Sequence, residues 1–514
     1  MIFGRVKPLD AILATAEKKG LQRSLGAFQL TMLGIGAVIG TGIFVLTSEA
    51  AQKAGPGMML SFVLAGFVCA VAALCYSELA SMVPVAGSAY TYTYAVMGEL
   101  LAWMVGWALI LEYAVGASAV AVGWSGYFVG LLDHSLGIHI PLAISAGPSS
   151  GGIINLPAVV ISLLVTGLLV LGTTESARFN AILVIIKVAA LTLFVALSVP
   201  VMKMDHFQPL LPTGVSGMAG AAASIFFAYV GFDAVSTAAE ETRNPQRNVP
   251  IGLIGSLIFC TIFYLLVAAG AIGATNDVAF AQPVRDAAGV LLDPGSTALV
   301  QRCTELAGIG RDPLPCSHEA LAHVLRQIGW VKLGNLIGLA AFLALPSVVL
   351  MMMFGQIRVF FAMARDGLLP DKLASVHPRF KTPHIMTMVT GVVVTLAAAF
   401  LPVGKLVDYS NSGTLFAFAM VAASVLALRK IDPTRHRPFR TPAVMVIAPL
   451  TIAGCLYLFW SLQLIAKLVL PIWGAVGLAI YFLYSRKRSY VGRGIVDVVD
   501  DPAMQPEVAK PLDR

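Results

Sequence analysis

Gly34-Ile35-Gly36-Ala37-Val38-Ile39-Gly40-Thr41-Gly42 lies in the middle of an apolar run, 28–49, and its four glycines decide how the chain is read. A helix that crosses lipid must satisfy its own backbone. Each interior glycine weakens it by roughly 0.5–1 kcal/mol relative to alanine. Four within nine residues predict an unwound turn at mid-membrane. A second run, 215–239, carries Phe226-Phe227-Ala228-Tyr229-Val230-Gly231-Phe232-Asp233 and is interrupted in the same way. Irregular backbone survives at that depth only where it lines a protected cavity. A matched pair of interruptions in the two halves of a chain points to a substrate site between them.

Composition puts the chain in a membrane. Of its 514 residues 58% are hydrophobic and 12% charged, where a soluble domain carries roughly 25% charged residues. Apolar runs long enough for a ~30 Å hydrocarbon core recur at 28–49, 58–82, 97–129, 154–173, 180–201, 215–239, 250–274, 333–363, 384–402, 406–428, 442–462 and 465–485. The expected class is an all-α integral membrane protein with twelve transmembrane helices. Lys18, Lys19, Arg23, the basic stretches in 358–381 and 429–440, and Arg486-Lys487-Arg488 fall on one side of that topology. The positive-inside rule then predicts both termini cytoplasmic in a plasma (bacterial inner) membrane.

The counting gives the organisation. Residues 1–27 form a polar, amphipathic segment along the inner face, without the short apolar core and cleavage site of a signal peptide. Residues 28–202 form a first block of five spans. Residues 215–429 form a second, which enters the membrane inverted because five is odd, with a long extracytoplasmic loop at 277–330. Spans 11 and 12 (441–486) and a cytoplasmic tail (487–514) follow. The two glycine-interrupted runs thereby occupy equivalent places across a pseudo-two-fold axis.

Several function classes drop out. There is no P-loop, and the Gly-x-Gly of the first run has no preceding strand and the wrong onward spacing for a dinucleotide fingerprint. The net charge of +7 is scattered over separate loops, a topology signal and not a nucleic-acid patch. No nucleophile–base pair or metal-spaced cluster occurs in the spans, so no catalytic residue, metal or cofactor is expected. Cys69, Cys75, Cys260 and Cys455 sit in spans and read as small hydrophobes. Cys303 and Cys316 share the outward loop and are predicted to form a disulfide. His318 and His323 beside them are too irregularly spaced for a metal site.

The chemistry of a broken helix is specific. Half-helix N-termini offer N–H groups and a positive dipole end to a carboxylate, and the facing carbonyls suit an ammonium. Together they fit the zwitterion of an L-amino acid. Lys187 and Asp233 lie at matching depths, roughly 10 Å inside spans 5 and 6 at ~1.5 Å per residue, so a shared network is open to them. Glu112 lies near the middle of span 3. Ionisable groups buried in spans mark ion and proton paths, and protons are the expected coupling ion.

At these residues the chain resembles the amino acid–polyamine–organocation superfamily, and within it the bacterial branch of the cationic amino acid transporter family. The stretches that carry the likeness are 34–44, 226–250, Ile186-Lys187-Val188 and 354–370. The resemblance implies a five-plus-five inverted-repeat (LeuT-like) fold with broken helices 1 and 6, alternating access and proton-linked symport of amino acids. It would place the substrate carboxylate at Val38, Ile39, Thr41 and Gly42, and the amino group at the carbonyls of Phe227, Ala228 and Val230. Phe227 would be an aromatic gate, Lys187 would stand at a sodium-equivalent position, and Glu112 and Asp233 would join the polar network.

The family name promises cationic substrates, yet span 8 reads Ser347-Val348-Val349-Leu350-Met351-Met352-Met353 with no acid. A thioether floor at Met352 and Met353 favours neutral substrates such as alanine. A cationic carrier, a proton-independent exchanger and, more remotely, a transporter-derived nutrient sensor stay open. The partners expected are the amino acid and the lipid bilayer, with no nucleic acid. Oligomeric state is not legible.

Overall fold

The computed structural model describes residues 5–7, 25–83, 88–172, 177–238, 242–380 and 382–494. The amphipathic N-terminal segment and the C-terminal tail therefore fall largely outside the described residues. In chain order, leaving out the short helices Leu142–Ser145 and Arg486–Arg488, the helices are α1 Ala27–Val38, α2 Thr41–Phe44, α3 Leu46–Ala54, α4 Met58–Met82, α5 Ser88–Met97, α6 Glu99–Leu131, α7 Leu156–Leu171, α8 Ala177–Ser198, α9 Gly214–Ile225, α10 Ala234–Thr237, α11 Pro245–Gly273, α12 Thr297–Gly308, α13 Ala320–Gln327, α14 Val331–Arg365, α15 His384–Phe400, α16 Val403–Ile431, α17 Val444–Ser461 and α18 Leu464–Ile480.

Eight helices among the described residues are long and apolar enough to cross a bilayer. Four more apolar stretches are shorter: Ala27–Val38, Leu156–Leu171, Gly214–Tyr229 and His384–Phe400. Two of these are short because the first and sixth runs are split by their own glycines. The first run unwinds at Ile39 and Gly40, bends again at Val45, and reaches Ala54 before a Gly55-Pro56-Gly57 turn feeds α4.

Local sequence explains the other ends. Asn155 caps α7 by accepting from the Ala158 N–H at 3.1 Å, with proline in the first turn, where a missing N–H costs nothing. Helix α5 was not among the expected spans. Its Tyr90, Tyr92 and Tyr94 give no clear apolar period, yet all three rings are buried.

Burial ranks the helices. In α6, 89% of the most apolar window is covered by the protein, against 28% in α17 and 22% in α18. Helix α6 is therefore the axis of the molecule, and the last two helices are peripheral. It packs on α14 and α16, α11 packs on α4, α15 packs on α7, and α2 meets the 3-10 turn of the sixth run. The first four runs thus each pack on the run five places later.

The segment 277–330 forms a structured cap. Helix α13 buries Leu321, Val324 and Leu325 and packs on α14, α8 and α3. The Gln52 side chain holds Val284 and Leu292, donating to their carbonyls at 2.9 and 2.7 Å and accepting from the Val284 N–H at 2.8 Å. Cys303 and Cys316 are bonded, with Cα atoms 5.5 Å apart.

At the opposite, terminal face, Glu78 at the end of α4 takes two bonds from Arg429, at 2.9 and 2.7 Å. There Lys7 reaches Asp366 at 2.9 Å, and Arg5 donates to the Arg486 carbonyl at 2.8 Å.

The cap carries a pH dependence of defined sign. Burial pushes the imidazole of His323 below its ordinary value of 6.5, with Asp312 opposing. The undocked segment then binds protons more readily, so docking weakens as pH falls through about 6.5. Glu319 acts in the other direction. Burial raises its carboxyl while Arg326 opposes, so its contribution is full below the ordinary 4.5 and is lost as pH rises. Replacing His323→Phe is expected to reduce the rise in amide exchange over 318–327 between pH 7.5 and 5.5, after correction for intrinsic rates. An unchanged acid response would remove His323 from the account.

Candidate substrate and coupling site

The two breaks face each other at the centre. After Ile39 and Gly40 the chain restarts as α2 with no side-chain cap, leaving its first N–H groups without helical acceptors. In the sixth run α9 gives way to a 3-10 turn over Phe226–Tyr229, an extended Val230, and Gly231 at φ +113°. The contact is too close for side chains. A Cβ on Gly42 would lie 2.2 Å from Cα of Ala228, and one on Gly231 would lie 2.9 Å from the Ala37 carbonyl oxygen. Gly231 also occupies the left-handed region that favours glycine.

Unwinding frees carbonyls that a continuous helix would bond to the N–H four residues on. Side chains from neighbouring helices take those bonds. Lys187 on α8 donates to the Gly36 carbonyl at 3.0 Å. The Tyr264 hydroxyl on α11 lies 2.9 Å from both the Val38 and the Ala228 carbonyl, bridging the two broken helices with one phenol. Tyr127 on α6 donates to Phe44 at 2.7 Å, where the first run bends at Val45. Lys187 and Tyr264 are both buried.

What remains is a ring of groups suited to a small zwitterion. The hydroxyl of Thr41 is buried with no hydrogen-bond partner among the described residues. The Phe227 carbonyl accepts from the Val230 N–H at 3.2 Å. It and the Ala228 carbonyl each keep a second lone pair. The Phe227 ring is buried and approaches α6 and α14 near Gly116 and Met352. Met353, a further ~100° around the helix, is fully buried.

The polar network lies alongside. Tyr113 donates to Asp233 at 3.2 Å. Glu112 is fully buried, neither of its carboxyl oxygens has a hydrogen-bond partner among the described residues, and its polar surroundings include Asp233 and Thr414. Ser410 on α16 donates to the Glu112 backbone carbonyl at 2.9 Å. The structure thus sets Lys187 against α1 through Gly36, and Asp233 against α6 through Tyr113. Among the described residues no three His, Cys, Asp or Glu side chains converge as a metal site would require.

The cap side of the site is closed by charge. Lys53 contacts Asp408 at 3.1 Å and Ser224 at 2.5 Å, and Ser224 in turn donates to Asp408. Asn411 donates to the Ala223 carbonyl at 2.7 Å. One cluster therefore ties α3, α9 and α16 together. Sequence reading missed it. Asp408 is an acid inside the run 406–428, the same signal that picked out Asp233, but it lies near the run's end. Tyr264 was missed because a tyrosine in a span gives no sign of which carbonyl it serves.

Comparison with known proteins fits this geometry. A family model described as amino acid permease matches residues 25–484. This chain belongs to the amino acid permease family, within the amino acid–polyamine–organocation superfamily. Its members are transporters rather than enzymes, so the permease is a multi-pass membrane protein of amino acid transport.

It is 44% identical to the branched-chain amino acid permease BcaP of Bacillus subtilis, over 95% of this chain and 98% of the relative. It is 42% identical to the methylthioribose transporter of the same organism, over 95% and 99%. To the vacuolar cationic amino acid transporter 2 of Arabidopsis thaliana it is 35% identical, over 84% of this chain and 63% of the relative.

The role of the bridging phenol can be tested against a control. Tyr264→Phe in the permease removes the one phenolic proton that the Val38 and Ala228 carbonyls share. A buried unsatisfied group costs roughly 1–3 kcal/mol. Tyr229→Phe removes a bond to the carbonyl of Phe62, a residue inside the continuous helix α4, and the contact with the Thr261 hydroxyl. Thermal unfolding in detergent is expected to be distinctly lower for Tyr264→Phe than for Tyr229→Phe; equal midpoints would contradict the bridging role.

Proposed function

We propose that the permease is a proton-coupled symporter of neutral L-amino acids, from alanine to the branched aliphatic ones, working by alternating access in the plasma membrane. The observation that carries the substrate class is the wall where Phe227, Met352 and Gly116 meet, an aromatic ring and a thioether facing a residue with no side chain. Such a wall rewards aliphatic area and offers a cationic side chain no partner of its own. The relatives support it: two permeases named for branched-chain amino acids, the one from Bacillus subtilis and one from Lactococcus lactis, are 44% and 31% identical over nearly their whole length.

In this reading the carboxylate takes the N–H groups at Thr41 and Gly42 with the Thr41 hydroxyl, near Val38 and Ile39. The ammonium takes the free lone pairs of Phe227, Ala228 and Val230. Phe227 closes over the substrate.

The fold proposed is twelve spans in two inverted five-helix repeats. Its support is the packing of second on seventh, third on eighth and fourth on ninth runs, together with the facing breaks. Both termini lie inside. The supporting observation is the basic terminal face, with Arg5, Lys7, Arg429 and Arg486.

Glu112 carries the proton. A buried carboxylate without a partner is costly, whereas the neutral acid is tolerated, so loading and release can follow the change of access. Lys187 supplies a fixed positive charge beside α1.

Labelled alanine accumulation in proteoliposomes, with and without an inward proton gradient, tests the reading. Unlabelled glycine, leucine, arginine and methylthioribose serve as competitors. Gradient-driven uptake competed by glycine and leucine is expected. Competition by arginine alone would assign a cationic carrier, and competition by methylthioribose alone a different substrate class. Glu112→Gln is expected to abolish gradient-driven accumulation while retaining substrate exchange; full accumulation by this variant would remove Glu112 from coupling.

A further inference from the structure

The terminal face carries a groove that the transport site does not use. It runs between the first turns of α11 and the segment that leads from α16 into α17. Arg247, Ile251, Ile254 and Ile258 line one side and Pro438 and Phe439 the other, around a volume of about 690 Å3. Gly255 adds no side chain to the floor, where a Cβ would meet only the Thr31 side chain of α1, at 3.4 Å.

Helical spacing explains the shape. Positions 247, 251, 254 and 258 fall on one stripe of a helix, and at ~1.5 Å per residue they span roughly 16 Å. That is about half of a ~30 Å hydrocarbon core, so the stripe reaches from the head-group level toward the bilayer centre. Ile251 and Ile258 are exposed, and in a membrane span an exposed isoleucine faces lipid. The mouth is positive. Arg247 and Arg440, the residue after Phe439, are both exposed, and among the described residues neither has a carboxylate partner. Acids of that face are committed elsewhere: Glu78 to Arg429 and Arg437, and Asp432 to Arg435. Helix α11 begins at the mouth, with no acidic residue in its first turn to offset the positive end of its dipole.

We propose that this groove is a binding site for an anionic phospholipid of the adjoining leaflet. The head-group phosphate sits at Arg247 and Arg440, and one acyl chain lies along Ile251, Ile254 and Ile258 against Phe439. Basic pockets between spans select anionic head groups in this way. A zwitterionic phospholipid offers the same chain without the net negative charge, so the arginines set the preference and the isoleucine stripe supplies the rest of the affinity. The site is separate from the broken helices and does not depend on which amino acid the permease carries.

Native mass spectrometry of the purified permease tests it, with titration of phosphatidylglycerol or of phosphatidylcholine with the same acyl chains. The wild type is expected to bind its first phosphatidylglycerol at least about fivefold more tightly than phosphatidylcholine, the effect of one basic residue at an anionic membrane surface. Arg247→Gln should lose most of that preference. Lys487→Gln, an exposed basic residue of the same face outside the groove lining, should keep it. Gly255→Leu, which fills the floor, should weaken both lipids.

Equal affinity of the wild type for the two lipids would overturn the site, and so would an unchanged preference in Arg247→Gln. An equal loss in Lys487→Gln would reduce the effect to the overall charge of the face and overturn it as well. Displacement of phosphatidylglycerol by an equal concentration of inorganic phosphate would show an anion site that takes no acyl chain, as would unchanged binding in Gly255→Leu.

Discussion

Unpaired backbone in a water-poor interior is the constraint from which the rest of this structure follows. Breaking two helices at mid-membrane frees carbonyl and amide groups whose desolvation without partners costs several kcal/mol. The chain meets that cost from outside the broken segments. Lys187 takes the carbonyl of Gly36, and Tyr264 stands between those of Val38 and Ala228. The N–H groups at the start of α2 and the buried Thr41 hydroxyl are left for something else. The proposed site is what remains when most, but not all, of the exposed backbone has been satisfied.

That division of labour separates two kinds of charge. On the cap side Lys53, Asp408 and Ser224 form a closed cluster that satisfies its own members and ties three segments together. Such a cluster stabilises one arrangement and must come apart for another. Among the described residues neither carboxyl oxygen of Glu112 has a hydrogen-bond partner of that kind. That contrast is why the proton-coupling role is proposed for Glu112 and not for the closed cluster.

Much of this was legible in the residues, and the reasons are physical. Gly34, Gly36, Gly40 and Gly42 declare a weak helix whatever surrounds them, and the structure unwinds at Ile39 and Gly40. Lys187 and Asp233 were conspicuous because charge in an apolar run is costly wherever it lies. What escaped depended on contact across the fold. Tyr264, Tyr113 and Tyr127 are ordinary aromatics until the carbonyl or carboxylate each one serves is known.

Helix α13 was hidden inside a stretch read only as a long loop, although Leu321, Val324 and Leu325 share a helical face. Met352 and Met353 were inseparable in sequence, and helical rotation alone turns one of them toward Phe227 and Gly116.

The most direct test is a structure of the permease with leucine bound. The carboxylate is expected within hydrogen-bond distance of the Thr41 and Gly42 N–H groups, the ammonium against the carbonyls of 227–230, and the isobutyl group toward Gly116 and Met352. Leucine seated elsewhere, with the two breaks still in contact and empty, would contradict the claim that the unsatisfied backbone between the broken helices is the substrate site.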